Sequence, residues 1–397
     1  MRRLVQGFFY NNPDNYPAII NSTRLLCSAG WEVELFCRDD GREWNITYPP
    51  GTAIERTKAS KNGNTWQQYL GFVFRALSRG NKTASFFIGH DMHGFVPASL
   101  LSARHRRPLF YSCYDYADRD QPLNLGSRVV RSFQSRFARR ADLVTVPDAG
   151  LGEIIKHDLR LKSDPLVIVN SPLEPARASG DLRKALRLRD RNFDKIVFRQ
   201  GRVGPGHGIE ATIRSMPFWN NRAWGFVVMG IPEPSFVEAM QILAASLGVL
   251  DRFVVLPPVC YDAVSRFTRD ADLGHALYES IHVNNRNISG ACKVQEYMAA
   301  GIPLLVSQQP SLSALAEKYH CGGVVDVISP ERIAASVNSL LCDQHEQTTK
   351  QMGDAGLRAF RDTLRFERQY EPVLRRMDKI VGRFEESKVA PEVALNS

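Results

Sequence analysis

Short apolar runs alternate with segments of helical spacing along nearly the whole chain, and the series starts twice. The first series has runs at 4–10, 31–37, 84–88, 109–113, 143–146 and 166–169, each of a length that suits one buried strand. Between them, 17–29, 64–78, 95–103 and 125–140 carry apolar residues three and four apart, the period of a helix with one buried face. A strand, a helix and a strand within the opening stretch begin a parallel α/β sheet. Asn170-Ser171-Pro172 ends this series, and 173–195 is rich in Arg, Asp, Leu and Ala, a linker with a short helix. The second series starts at 196–199 and runs through 224–229, 253–256, 273–278, 304–306 and 323–325. Its helices are expected near 209–216, 234–247, 261–269, 290–300, 312–320 and 330–341. The fold class is α/β in two parts: a domain over 1–172, the linker, and a second domain over 196–365. A long charged helix over 366–385 follows, and the polar tail 386–397 is expected to fray. A chain of 397 residues has the length of two domains.

Composition narrows the setting. No apolar run approaches the roughly 20 residues of a membrane-spanning helix, and MRRLVQGFFYNNP has too short an apolar patch for a signal peptide. Seven cysteines without a CxxC pair fit reduced thiols in the cytoplasm better than a disulfide framework or a zinc site. A formal charge of +9 favours an anionic partner. Nucleic acid is set aside, because no interleaved basic and aromatic motif, helix-turn-helix or zinc finger is present.

The chemistry concentrates in NNRNISGACKVQEYMAAGIPLLVS, residues 284–307. A polar loop leads into a helix that Ser289 is placed to cap, and Gly301 and Pro303 stop it. Val294, Tyr297 or Met298, and Gly301 mark its buried stripe, while Lys293 and Glu296 share another face near the positive helix end, which attracts anions. On spacing alone, a surface Lys–Glu pair is the competing reading. At the first turn of the second series, GRVGPGHG (201–208) lets backbone amides approach phosphate oxygens. It is not the GxGxxG of dinucleotide dehydrogenases, and no acidic residue ends 226–229 to hold a ribose, so a nicotinamide enzyme is set aside. In the first series Asn12, His90, Asp91, His93, Tyr114 and Asp115 fall at strand ends, where open α/β sheets bind ligands. His90, Asp91 and His93 invite a metal reading, but no further ligand recurs at helical spacing as in HExxH, which favours hydrogen bonding in a cleft. Arg128, Arg131, Arg136, Arg139 and Arg140 surround Val129, Val130, Phe133 and Phe137. Such a helix can lie on an anionic membrane surface or pack on the core with a solvated face.

Lys293, Glu296, Tyr297, Met298, Ala299, Ala300, Gly301 and Pro303 resemble, residue by residue, the donor-site segment of retaining glycosyltransferase family 4. Gly201 and Arg202 resemble that family's Gly-Arg loop. The resemblance implies the GT-B fold: two Rossmann-like domains facing a cleft, with a C-terminal helix crossing back to the N-terminal domain. It implies an N-terminal domain for the acceptor and a C-terminal one for the nucleotide-sugar. It implies transfer, with retention, from a UDP- or GDP-sugar to a glycan or lipid-linked acceptor, with neither metal nor other cofactor. Arg202, Lys293 and Glu296 take the catalytic roles, and Gly201, His207, Ser289, Gly290 and Ala291 join them in holding the donor. Asn12, Asp91, Tyr114 and Asp115 are assigned to the acceptor or the transferred sugar. Asp118-Arg119-Asp120 and Asp270-Ala271-Asp272 have the spacing of a metal-binding DxD but read as solvated turn charges. Three positions depart from the family pattern: His207 stands for a Lys, Ile288 for a Glu and Tyr114 for a His. They motivate the alternative of a non-catalytic GT-B subunit that binds a partner glycosyltransferase or nucleotide. A sugar-nucleotide epimerase would need an acid/base set that these residues do not assemble. The expected location is the cytoplasm, on the inner face of the cytoplasmic membrane if the basic helix binds there.

Overall fold

The computed structural model describes residues 3–42, 44–58, 65–117, 122–174, 179–279, 283–286 and 291–393. The chain forms two compact units, Met1–Ile168 with Phe366–Ser397, and Val169–Arg365.

The first unit holds a seven-stranded parallel sheet: β1 (Leu4–Phe9), β2 (Glu32–Asp39), β3 (Thr52–Lys58), β4 (Phe86–His90), β5 (Leu109–Ser112), β6 (Leu143–Val146) and β7 (Leu166–Val167), in the order β3-β2-β1-β4-β5-β6-β7. The hydrophobic runs become β1, β4, β5 and β6, each buried along its length, as expected of strands covered by helices on both faces. The sequence pattern misses β3, because TAIERTK is an edge strand that pairs only with β2 and keeps Glu55, Arg56 and Lys58 in solvent. Charge of this kind guards an edge against further pairing. It also misses helix Ala149–Leu159, whose two glycines weaken its helical signal and whose start is fixed by Asp148 accepting from the Leu151 amide at 3.1 Å. The helix expected over 95–103 starts earlier, at Asp91. Gly89 and Gly94 permit this: a β-carbon on Gly94 would lie 2.0 Å from the Phe8 carbonyl oxygen.

The second unit holds a six-stranded sheet with the order β10-β9-β8-β11-β12-β13. Its strands are β8 (Lys195–Gln200), β9 (Trp224–Met229), β10 (Phe253–Leu256), β11 (Leu273–Ala276), β12 (Leu304–Ser307) and β13 (Gly322–Val325). Ile196 and Phe198 face one core with Val294, Tyr297 and Met298; Val197 faces the other with Ile209, Ile213 and Phe226. Helix Glu346–Ala359, with a π turn over Phe360–Leu364, has no counterpart in the expected elements.

Helix Phe366–Val393 buries Tyr370, Val373 and Met377 in the first unit and carries Asp378, which pairs with Arg3. It extends to Val393, beyond the expected end at 385, so most of the segment assigned to a frayed tail is helical. The Asp270 and Asp272 reading also needs correction, since neither is a solvated turn charge. Asp270 caps helix Asp181–Arg187, accepting from the amides of Gly180 (2.7 Å), Leu182 (2.9 Å) and Arg183 (3.2 Å). Asp272 accepts from the Ile196 amide at 2.8 Å and from Arg183 at 3.2 Å. Both carboxylates fasten the linker helix to the second sheet. Asp118, Arg119 and Asp120 lie outside the described residues.

Candidate active site

In each sheet the chain leaves two neighbouring central strands in opposite directions, β1 and β4 in the first unit and β8 and β11 in the second. The crevice beyond the carboxyl ends at such a reversal is where open α/β sheets take their ligands. The expected site residues fall at these two places.

In the first unit, Asp91 follows β4 with φ of +52° and accepts through Oδ1 from the amides of Tyr114 (2.7 Å) and Asp115 (3.1 Å). Burial, and then the neighbouring Asp115 carboxylate, push the Asp91 carboxyl up to about 8, against the pull of those two amides. His90 Nδ1 bonds to the Tyr114 hydroxyl at 3.1 Å, and burial pushes the imidazole down to about 3, so it is neutral. His93 turns away into Tyr10 and Tyr69, with ring centroids at 5.7 and 5.2 Å. Asn12 is committed to the fold, which corrects its assignment to the acceptor. It is buried, its Oδ1 accepts from the Asp14 amide (3.1 Å) and Arg56 (3.1 Å), and its Nδ2 donates to Asp40 (2.7 Å). Asp91, Tyr114 and Asp115 thus come together, and Asn12 does not join them.

The Asp91 arrangement has a pH signature. A carboxyl whose pKa is raised on folding binds more protons folded than unfolded, so unfolding free energy falls as pH rises through that window. Asp91→Asn keeps an acceptor for both amides and removes the titration. As pH rises from about 6 to about 8 the wild type should lose stability relative to the variant. Urea melts at both pH values measure this, and parallel profiles would contradict it.

In the second unit the site is built on helix Cys292–Ala300. Tyr297 fixes its position: the hydroxyl accepts from the Gln200 amide (3.2 Å) and donates to the Phe198 carbonyl (3.1 Å), both on β8. The ring fits because β11 offers Gly274, where a β-carbon would lie 2.4 Å from it. The helix begins at Cys292 with Ala291 in the capping position, and no side chain among the described residues caps it. Ser289, expected as the cap, lies outside the described residues, as do Gly290 and Ile288. An N-terminus without a side-chain cap leaves first-turn amides for other acceptors. Burial also exceeds the expected stripe, since Gln295 and Glu296 are buried along with Val294, Tyr297 and Met298.

Lys293 lies beside the glycine loop: a β-carbon on Gly201 would stand 3.5 Å from its Nζ. Gly201 has φ of +106°, and its carbonyl is closed over by Gly230, where a β-carbon would overlap that oxygen at 1.5 Å. Lys293 Nζ bonds to the Tyr278 hydroxyl at 2.6 Å. One turn on, Glu296 accepts from Gln200 Nε2 and, at 3.3 Å, from Cys292 Sγ, while Gln200 Oε1 accepts from Thr268 at 2.7 Å. This chain fixes the plane of the carboxylate. Burial raises the Glu296 pKa, opposed by Cys292, Lys293 and Gln200.

Arg202 does not join Lys293. It is 72 % exposed and lies 3.5 Å from Glu233. His207 stands edge-on to Tyr278 at 5.6 Å, and its pKa is pushed down to about 2 by burial and then by Arg199, Lys293 and Arg202, so it is neutral. Three residues escaped the sequence reading: Arg199, Tyr278 and His275. Arg199 left a signal there, a permanent cation directly after the apolar run Ile196-Val197-Phe198.

Two families match the chain. The glycosyl transferase 4-like domain covers residues 21–172, and the glycosyl transferases group 1 family covers residues 184–358. The D-inositol 3-phosphate glycosyltransferase of Salinispora tropica is 26% identical over 366 residues, which is 82% of this chain and 73% of that protein. The GDP-mannose-dependent alpha-(1-6)-phosphatidylinositol monomannoside mannosyltransferase of Mycobacterium tuberculosis is 26% identical over 190 residues, 46% of each chain. Among solved structures, HepE of Anabaena, crystallised with UDP and glucose, superposes with a TM-score of 0.70 at 16% identity, covering 98% of this chain and all of HepE. Two parallel-sheet units of this order are the GT-B fold. The chain belongs to the family 4-type glycosyltransferases of group 1.

Proposed function

We propose that the protein transfers a sugar, with retention and without a metal, from a nucleoside diphosphate sugar to a hydroxyl of a glycan or lipid-linked acceptor. One observation carries this: Lys293 is held against the Gly201 turn while Glu296 is fixed one helical turn further along the same helix. A cation at a helix start suits a diphosphate, and a carboxylate one turn away suits the paired hydroxyls of a ribose. In the reaction the bond between the anomeric carbon and the diphosphate oxygen breaks as the acceptor oxygen bonds to that carbon from the same face. The acceptor proton passes to the leaving diphosphate. Positive charge at Lys293 and the helix start favours that departure, and it is worth most where water is excluded. Arg202 serves this role only after leaving Glu233, so Lys293 holds first place among the cations.

The named partners of similar proteins support the donor class: HepE was solved with UDP, and the mycobacterial mannosyltransferase uses GDP-mannose. In the first unit Asp91, Tyr114 and Asp115 supply the polar groups for a sugar hydroxyl. Helix Leu125–Phe137 leaves Leu125 and Val129 79 % and 52 % exposed beside Arg128 and Arg136, which favours its reading as a membrane-surface helix. No helix among the described residues is long and apolar enough to cross a membrane. With the seven unpaired cysteines, this supports work at the cytoplasmic face of a membrane.

The test is transfer from UDP- and GDP-sugars, with a chelator present, to acceptors offered free or in anionic vesicles. The expected product keeps the donor's anomeric configuration by NMR and forms faster on vesicles. An inverted product would end the retention reading, and turnover abolished by the chelator would end the metal-free one. Equal rates in both formats would end the membrane role of helix Leu125–Phe137.

A further inference from the structure

Arg199 is the last residue but one of β8, 1 % exposed, and no carboxylate among the described residues is named as acting on it. Its Nη1 meets Nδ1 of His275 at 3.3 Å and its guanidinium lies 5.4 Å from the Tyr278 ring centroid. Nε and Nη2 have no hydrogen-bond partner among the described residues. Nδ1 of His207, whose ring stands edge-on to Tyr278, is likewise buried and without a partner among the described residues. Lys293 closes the group by bonding to the Tyr278 hydroxyl. Two permanent cations and a neutral imidazole therefore surround one phenol.

The proton positions show how the fold holds this charge. Thr212 donates its hydroxyl proton to the Gly208 carbonyl at 2.7 Å, so at 2.8 Å it accepts from Nε2–H of His275. His275 is then neutral, with Nδ1 as a bare acceptor facing Arg199. Arginine cannot shed its proton to relieve burial, as both histidines do. Burial alone would raise the Tyr278 phenol, but Lys293 and Arg199 outweigh it and hold it below the usual tyrosine value. A buried, obligate cation steadied by a neutral imidazole and the Tyr278 phenol, with no well-placed acceptor on Nε or Nη2, is destabilising until an anion arrives.

We propose that Arg199 is a positioning residue of the donor site, whose buried charge, set by His275 and relayed through Tyr278 and Lys293, draws in the diphosphate where the loop has neutral His207. This rests on the reading of the β8–β11 crossing as the donor site.

The experiment compares binding of a nucleoside diphosphate with binding of the same nucleoside, using the full chain and calorimetry. Arg199→Met keeps the volume and removes the charge. It should cut the preference for the diphosphate roughly tenfold or more, the scale of a charge-assisted contact, while nucleoside affinity stays within about twofold and the melting temperature does not fall. Arg199→Lys should recover most of the preference. Should Arg199→Met not fold, Thr212→Val reads the same chain. It strips the acceptor from Nε2–H, turns a ring N–H toward Arg199, and should also lower the preference. Full preference in either folded variant, or an equal fall for nucleoside and diphosphate, would overturn the inference and leave Arg199 a structural residue. If the wild type binds no nucleoside diphosphate of any base, the donor-site reading itself fails, a result distinct from either variant outcome.

Discussion

Lys293→Ala should lower kcat for sugar transfer by about two to three orders of magnitude, the loss seen when one preorganised charge-stabilising donor is removed from a transition state. Lys293 is the cation that the structure sets against the Gly201 turn, while Arg199 acts on it from within the sheet, through Tyr278. Arg202 faces Glu233, and His207 is neutral. The fold should tolerate the change, because among the described residues Nζ is held by the Tyr278 hydroxyl and ring alone. Steady-state kinetics beside a thermal melt separate the two effects. A kcat within about threefold of wild type, well short of the loss of one such donor, would remove Lys293 from the catalytic role.

Glu296→Ala should act on binding rather than on the chemical step. The carboxylate is oriented by Gln200, itself held by Thr268, and it retains lone pairs for two ribose hydroxyls. Hydrogen bonds to a charged acceptor contribute about 1.5–3 kcal/mol, so nucleotide affinity should fall roughly ten- to a hundredfold. The loss should fall equally on nucleoside and nucleoside diphosphate, because the ribose is common to both. This distinguishes Glu296 from Lys293, whose loss should spare the nucleoside. Calorimetry on the two variants reads the contrast, and a Glu296→Ala effect confined to the diphosphate would contradict the ribose assignment.

How much of this was legible in the sequence depends on how local the physics is. Residues 284–307 compress a loop, a helix and a stop into one run, so the helix and the Lys293–Glu296 spacing follow from order along the chain. What lay outside that run needed partners far away. The exact start of that helix, at Cys292 after Ala291, is not set by any capping residue type in the run. Asp270 and Asp272 look like turn charges until helix Asp181–Arg187 and the start of β8 supply the amides that use them. Asn12 sits at a ligand-binding strand end but is bonded to Asp40 and Arg56, which no spacing rule anticipates. β3 carries the polarity of an exposed edge, and polarity reads as loop. Arg199 was the strongest missed signal, because a charge in a buried strand states a cost without naming what offsets it.

On the proposed function, the second unit binds a nucleoside diphosphate at the β8–β11 crossing. Calorimetric titration of the full chain with UDP, GDP, ADP and CDP, each beside its nucleoside, tests it most directly. One diphosphate should bind well above the other three and above its own nucleoside, and Lys293→Ala should remove most of that advantage. If none of the four binds, or if Lys293→Ala leaves the advantage intact, the crossing is not the donor site, and the family's fold serves this chain in a non-catalytic role.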